Sequence, residues 1–116
     1  MRLNHLNLTV PNVAETATFL EKYFGLRHMG GASDRMAGLR DDTGLVLTLR
    51  KPGQTSPITY PATFHLGFMQ ESNEQVNEIN RRLQEDGFVV DPPRRLHGSW
   101  TFYFQAPGGF TIEVGH

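Results

Sequence analysis

Three side chains in this sequence combine reactive chemistry with a telling spacing: His5, His65 and Glu113. The two histidines are 60 residues apart, and the carboxylate lies near the end of the 116-residue chain. Two neutral imidazoles and one carboxylate form the donor set of an open divalent-metal site. Such a set suits Zn²⁺, Ni²⁺, Mn²⁺, Co²⁺ or Fe²⁺. Three protein ligands leave coordination positions for water or a bidentate substrate, which is what Lewis-acid chemistry needs. Five histidines and no cysteine agree with that reading and exclude disulfides, thiolate nucleophiles and Cys-type zinc sites.

These residues are useful only if strands place them on one face. Residues 2–10 alternate: Leu6, Leu8 and Val10 on one side, His5, Asn7 and Thr9 on the other. Asn12 with Glu15 reads as a helix cap. Val13, Ala17, Leu20 and Phe24 then follow at helical spacing, and Gly25 ends the helix. Strands are expected near 26–31, 35–40 and 45–51. Pro52, Gly53, Pro57 and Pro61 mark a linker over 52–61. The pattern then restarts. Phe64, Leu66 and Phe68 alternate with His65 and Gly67. Ser72 with Gln75 caps a second helix carrying Val76, Ile79 and Leu83, with Gly87 as its stop. Strands are expected near 88–91, 98–105 and 110–115.

The order is therefore β-α-β-β-β, linker, β-α-β-β-β. Module one spans about 1–51 and module two about 62–116. Together they predict an α+β fold of two βαβββ modules, a curled mixed sheet with helices on its outer face. The landmarks agree in number: four residues separate Gly44 from Thr48, and four separate Gly109 from Glu113. Thr48 is thus the module-one counterpart of Glu113. The face opposite the helices carries His5, Asn7, Thr48, Arg50, His65, Tyr103 and Glu113. A curled sheet would make that face the lining of a concave ligand site.

The runs Leu3-Asn4-His5-Leu6-Asn7-Leu8-Thr9-Val10, Phe19 to Leu26, Phe64-His65-Leu66-Gly67-Phe68 and above all Phe102 to Val114 carry a resemblance. They resemble the vicinal oxygen chelate superfamily of glyoxalases, bleomycin-resistance proteins, fosfomycin-resistance thiol transferases and extradiol dioxygenases. The resemblance implies one divalent metal held by His5, His65 and Glu113, and a small substrate bound through two neighbouring oxygens. The reaction would be of lyase, thiol-transferase or dioxygenase type, with Tyr103 and Glu113 in catalytic roles and Asn7, Thr48, Arg50 and Tyr103 facing substrate. It also implies a homodimer with sites shared between chains, pairing within one chain being the alternative. Tyr103 falls where the fosfomycin-type transferases keep a substrate-side tyrosine. Thr48 stands where glyoxalase I-like enzymes carry a glutamate. A threonine hydroxyl is a poor ligand and no general base at neutral pH, which argues against an authentic glyoxalase I. The alternative function is a metal-free, bleomycin-resistance-like protein that sequesters a small molecule.

The remaining features are read more plainly. Arg94-Arg95, after Pro92-Pro93, reads as a loop charge pair, with gating of the cleft as the alternative. His97 beside Gly98 reads as a solvated loop residue, or as the acid/base histidine of a dioxygenase. Trp100 is expected in the core, and Arg50 could meet an anionic substrate. Eleven basic against twelve acidic residues leave a net charge of −1, so neither nucleic acid nor an anionic membrane surface is an expected partner. The N-terminus lacks an apolar signal segment, and no run approaches membrane-helix length, so a cytoplasmic location is expected.

Overall fold

A computed structural model describes residues 1–53 and 57–116. Residues 54–56 of the expected linker lie outside the described residues. The chain forms two compact units, Met1–Thr59 with Pro107–Gly109, and Tyr60–Ala106 with Phe110–His116. Each unit holds one βαβββ module. No helix among the described residues is long and apolar enough to cross a membrane.

Module one contains β1 (His5–Thr9), α1 (Val13–Phe24), β2 (Arg27–His28), β3 (Met36–Arg40) and β4 (Val46–Arg50). Its sheet runs β1-β4-β3-β2, with β1 and β4 parallel and the other pairs antiparallel. Asn12 caps α1, its side chain accepting from the Glu15 amide at 3.0 Å. Gly25 closes the helix at φ 68°, a left-handed conformation in which glycine avoids the Cβ clash. Leu8, Val10, Ala37, Leu39, Leu47 and Leu49 are buried on one face of the sheet, and Val13, Ala17, Leu20 and Tyr23 on α1. The helix lies against β2, β3 and β4. Fully burying each such leucine stabilises the module by about 1.5–3 kcal/mol. The strand expected over 26–31 shrinks to Arg27–His28, because Gly30 and Gly31 take positive φ and leave the ladder.

Module two contains β5 (His65–Met69), α2 (Asn73–Glu85), β6 (Arg94–Leu96), β7 (Ser99–Gln105) and β8 (Thr111–Gly115), in the sheet order β5-β8-β7-β6. Ser72 Oγ accepts from the Gln75 amide at 3.2 Å. The reciprocal bond falls one residue early, since Gln75 Oε1 accepts from the Glu71 amide. Val76, Leu83, Phe102, Phe104, Phe110, Ile112 and Val114 form the core.

Three expectations fail here. The strand near 88–91 does not form. The Asp91 carbonyl is taken by the buried side chain of Asn80 at 2.8 Å, and Pro92 and Pro93 have no amide to donate. Pairing starts instead at Arg94, so Arg94 and Arg95 sit in β6 rather than in a loop. Their hairpin turns through His97 and Gly98, both at positive φ, as a two-residue primed turn requires. Trp100 is half-buried rather than core. Its indole donates to Asn77 Oδ1 at 2.8 Å, and the Arg95 guanidinium lies 5.9 Å from its ring centre.

Candidate functional site

Strand register places the polar residues of each module. In module one, His5 opens β1 opposite Val46, and Asn7 lies opposite Thr48. In module two, His65 opens β5 opposite Thr111, and Gly67 lies opposite Glu113. Counting two residues along each parallel ladder from the histidine leads to Thr48 in one module and Glu113 in the other. The equivalence read from glycine spacing is therefore an equivalence of ladder position.

Module two brings His65, Tyr103 and Glu113 together. Tyr103 faces Glu113 directly across the β7–β8 pair. Its hydroxyl donates to Glu113 Oε2 at 2.6 Å, and the Thr101 hydroxyl stands 3.2 Å from the same oxygen. The other oxygen, Oε1, lies 3.6 Å from His65 Nε2. The His65 and Tyr103 rings meet edge-on with centres 5.5 Å apart. The hydrogen bond to Glu113, burial and the carboxylate charge all push the Tyr103 hydroxyl above the ordinary tyrosine pKa, so it stays protonated and donating.

Thr101 is the residue that sequence reading missed. It is buried, and its hydroxyl is also 2.8 Å from the Val114 carbonyl. Its only signal was its place on the alternating face of Tyr103, two residues earlier. Thr63 was missed as well. His65 Nδ1 lies 3.0 Å from the Thr63 carbonyl, which can only accept, so the proton belongs on Nδ1 and the Nε2 lone pair is left free. His5 has a matching arrangement: its Nδ1 is 2.6 Å from Asn4 Oδ1. Orienting one ring nitrogen while freeing the other is how metal-binding histidines are prepared.

The donor chemistry fits a divalent ion. Two ligand atoms each about 2.1 Å from one ion stand about 3.0–3.4 Å apart in octahedral or tetrahedral arrangements. The 3.6 Å between His65 Nε2 and Glu113 Oε1 needs only a small closure. Gly67 lies beside this pair; a Cβ there would make ordinary contact with Glu113 Oε1 at 3.9 Å. Among the described residues, no group of three or more His, Asp or Glu side chains could hold an ion. Within module two the structure brings together two of the three expected ligands; His5 belongs to module one.

The other site expectations divide. Asn7 and Thr48 are cross-strand partners on the polar face of module one. Arg50 lies opposite Thr9 and Met36 and lines a cleft of that module. His28 pairs with Glu21 at 3.1 Å and His116 with Asn73 at 2.9 Å, so neither belongs to the Glu113 cluster.

Comparison with known proteins agrees with this architecture. The family model described as Glyoxalase/Bleomycin resistance protein/Dioxygenase superfamily matches residues 2–114. A solved structure described as a possible glyoxalase from Bacillus cereus is 53% identical over all of this chain and 99% of that one, with a TM-score of 0.91. The lactoylglutathione lyase of Agrobacterium tumefaciens is 19% identical over 98% of this chain and 92% of that one, at a TM-score of 0.77, a likeness of fold. A probable trivalent organoarsenical cleaving enzyme of Bacillus subtilis (strain 168) is 27% identical over 90 residues, 78% of this chain. That match spans 60% of the length of the Bacillus subtilis protein.

Proposed function

The chain belongs to the Glyoxalase/Bleomycin resistance protein/Dioxygenase superfamily, and from that membership and the Glu113 cluster we propose that it is a divalent-metal-dependent enzyme. Its substrate is a small molecule bound through two neighbouring oxygens, and the step is of lyase, transferase or oxygenase type. The observation that carries this reading is the divided carboxylate of Glu113. One oxygen accepts from Tyr103, with the Thr101 hydroxyl 3.2 Å away, and the other is turned toward Nε2 of His65.

His65 and Glu113 supply two ligands, and His5, at the equivalent strand position of module one, supplies the third. A bound ion would supply Lewis-acid stabilisation of negative charge on a substrate oxygen. The remaining roles fall to this chain's residues. Tyr103 holds a proton at its hydroxyl and restrains the Glu113 carboxylate. Thr101, from a buried position, shares its one hydroxyl proton between the same oxygen and the Val114 carbonyl. Asn7, Thr48 and Arg50 present a polar row to the substrate. Thr48 cannot take a proton from carbon at neutral pH, so the glyoxalase I reaction is disfavoured. A trivalent arsenical is also disfavoured as substrate, because soft arsenic is captured by thiolates and the chain has no cysteine. Pairing of modules between two copies would complete the site in a homodimer.

A second reading has one observation in its favour. With no three-donor group among the described residues, the chain would instead be a metal-free small-molecule-binding protein. Elemental analysis of protein purified without a histidine tag and dialysed against Zn²⁺, Ni²⁺, Mn²⁺, Co²⁺ or Fe²⁺ separates the two. Retention of about one ion per chain, lost in His5→Ala and His65→Ala, supports the enzyme. Absence of retention for every ion supports sequestration.

A further inference from the structure

Module one holds a second feature that the metal chemistry does not use. A cleft of about 550 Å³ is lined by Thr9, Arg35, Met36, Arg50, Lys51, Pro52 and Gly53. Three of these are cations, and no carboxylate is among them. None of the three forms an ion pair among the described residues, although Arg27, Arg81 and His28 all do. Nor does overall composition explain the cluster, because the chain carries a net charge of −1.

Backbone pairing sets this arrangement. Arg50 ends β4 between Thr9 of β1 and Met36 of β3, on the face that carries Thr48. The Lys51 amide donates to the Arg35 carbonyl at 2.9 Å, which ties the residue before β3 to the residue after β4. Three like-charged residues are therefore gathered at one end of one ladder. A concave surface lined by one sign of charge concentrates the opposite ion. Two guanidinium forks add bidentate recognition of a planar or tetrahedral oxyanion, and the lysine adds a point charge. The apolar stems of Met36 and Pro52 offer contact for a short carbon skeleton.

We propose that this cleft binds a small, multiply charged oxyanion, a phosphate monoester or a paired carboxylate, with Arg35, Arg50 and Lys51 as its ligands. The site lies wholly within module one. It shares Arg50 with the substrate-facing row proposed above but needs no metal.

The test uses metal-free protein, so that its failure is distinguishable from failure of the metal reading. Inorganic phosphate, succinate and acetate are titrated into the full chain and followed by amide chemical shifts. Saturable shifts are expected for phosphate or succinate at residues 9, 35–36 and 50–53, with acetate much weaker. Saturation by phosphate alone identifies the phosphate-type ligand, and by succinate alone the dicarboxylate type. Arg50→Met should weaken binding about tenfold or more, since a hydrogen-bonded charge is lost. The same loss is expected for the double variant Arg35→Met/Lys51→Met. All three positions are exposed, so circular dichroism should show both variants folded. Shifts scattered over all basic residues, no saturation with either dianion, or unchanged affinity in Arg50→Met would overturn the proposal.

Discussion

Tyr103 donates its hydroxyl hydrogen to Oε2 of Glu113 at 2.6 Å from the directly opposite position on the neighbouring strand. That bond fixes the carboxylate and leaves Oε1 facing His65 Nε2. Tyr103→Phe should keep the fold, because the ring and its edge contact with His65 are retained. Divalent-ion affinity should fall about 10–100-fold, as for other lost outer partners of a metal ligand. Isothermal titration with Mn²⁺ or Zn²⁺ checks this, and unchanged affinity would show that Tyr103 does not orient the ligand.

Thr101 restrains the same oxygen from a buried site and also contacts the Val114 carbonyl. Thr101→Val removes the hydroxyl while keeping the shape, and should lower stability by about 1 kcal/mol. Thr101→Ser retains the hydroxyl and should restore metal affinity. Urea denaturation and metal titration of the pair separate a positioning role from a packing role: packing alone would leave metal affinity equal in both.

Much of the fold was legible in residue order. Period-two alternation gave β1, β4, β5, β7 and β8, and the Asn12 and Ser72 caps located both helices. What failed was the segment 88–91. Its apolar run Phe88-Val89-Val90 looks like a strand, but its backbone is claimed by a side chain distant in sequence, Asn80. Local pattern cannot show such a bond. His65 and Glu113 were legible because two modules repeat one ladder geometry. The roles of Thr101 and Thr63 were not, because alternation places a residue on a face without showing which carboxylate or imidazole it serves. Arg35 and Lys51 fell at the ends of expected strands, and only the β3–β4 pairing, which local pattern does not show, brings them together.

Asn80 is therefore expected to matter more than an average helix residue. Its amide donates to the Asp91 carbonyl, and its own oxygen accepts from Gln84 at 2.7 Å. Asn80→Ala should cost about 0.5–1.5 kcal/mol through loss of that hydrogen bond. A lowered thermal midpoint together with faster amide exchange at 88–91 is the expected result. Exchange unchanged in that segment would mean that other contacts hold it.

Asp41 governs the turn before β4. Its Oδ1 accepts from the Thr43 amide, the Thr43 hydroxyl and the Leu45 amide, each within 2.9 Å. Partial burial alone would raise its pKa, but the hydrogen bonds from Thr43, Leu45 and Gly44 outweigh it and hold the carboxyl below its usual value. The folded state thus favours the ionised form. The resulting stability is present above the ordinary carboxylate pKa and is lost as pH falls through the lower folded value. Asp41→Asn should flatten this part of the acid dependence in urea midpoints measured between about pH 5 and pH 2. Parallel curves for variant and wild type would remove Asp41 from the account.

Co²⁺ binding followed by its visible absorption tests whether His65 and Glu113 are ligands to one divalent ion. Wild type should saturate with one ion per chain. Glu113→Gln keeps the size of the side chain while removing its charge, and it should weaken binding strongly and alter the spectrum, as should His65→Ala. A wild-type protein that binds no Co²⁺, or variants with unchanged affinity and spectra, would contradict the account.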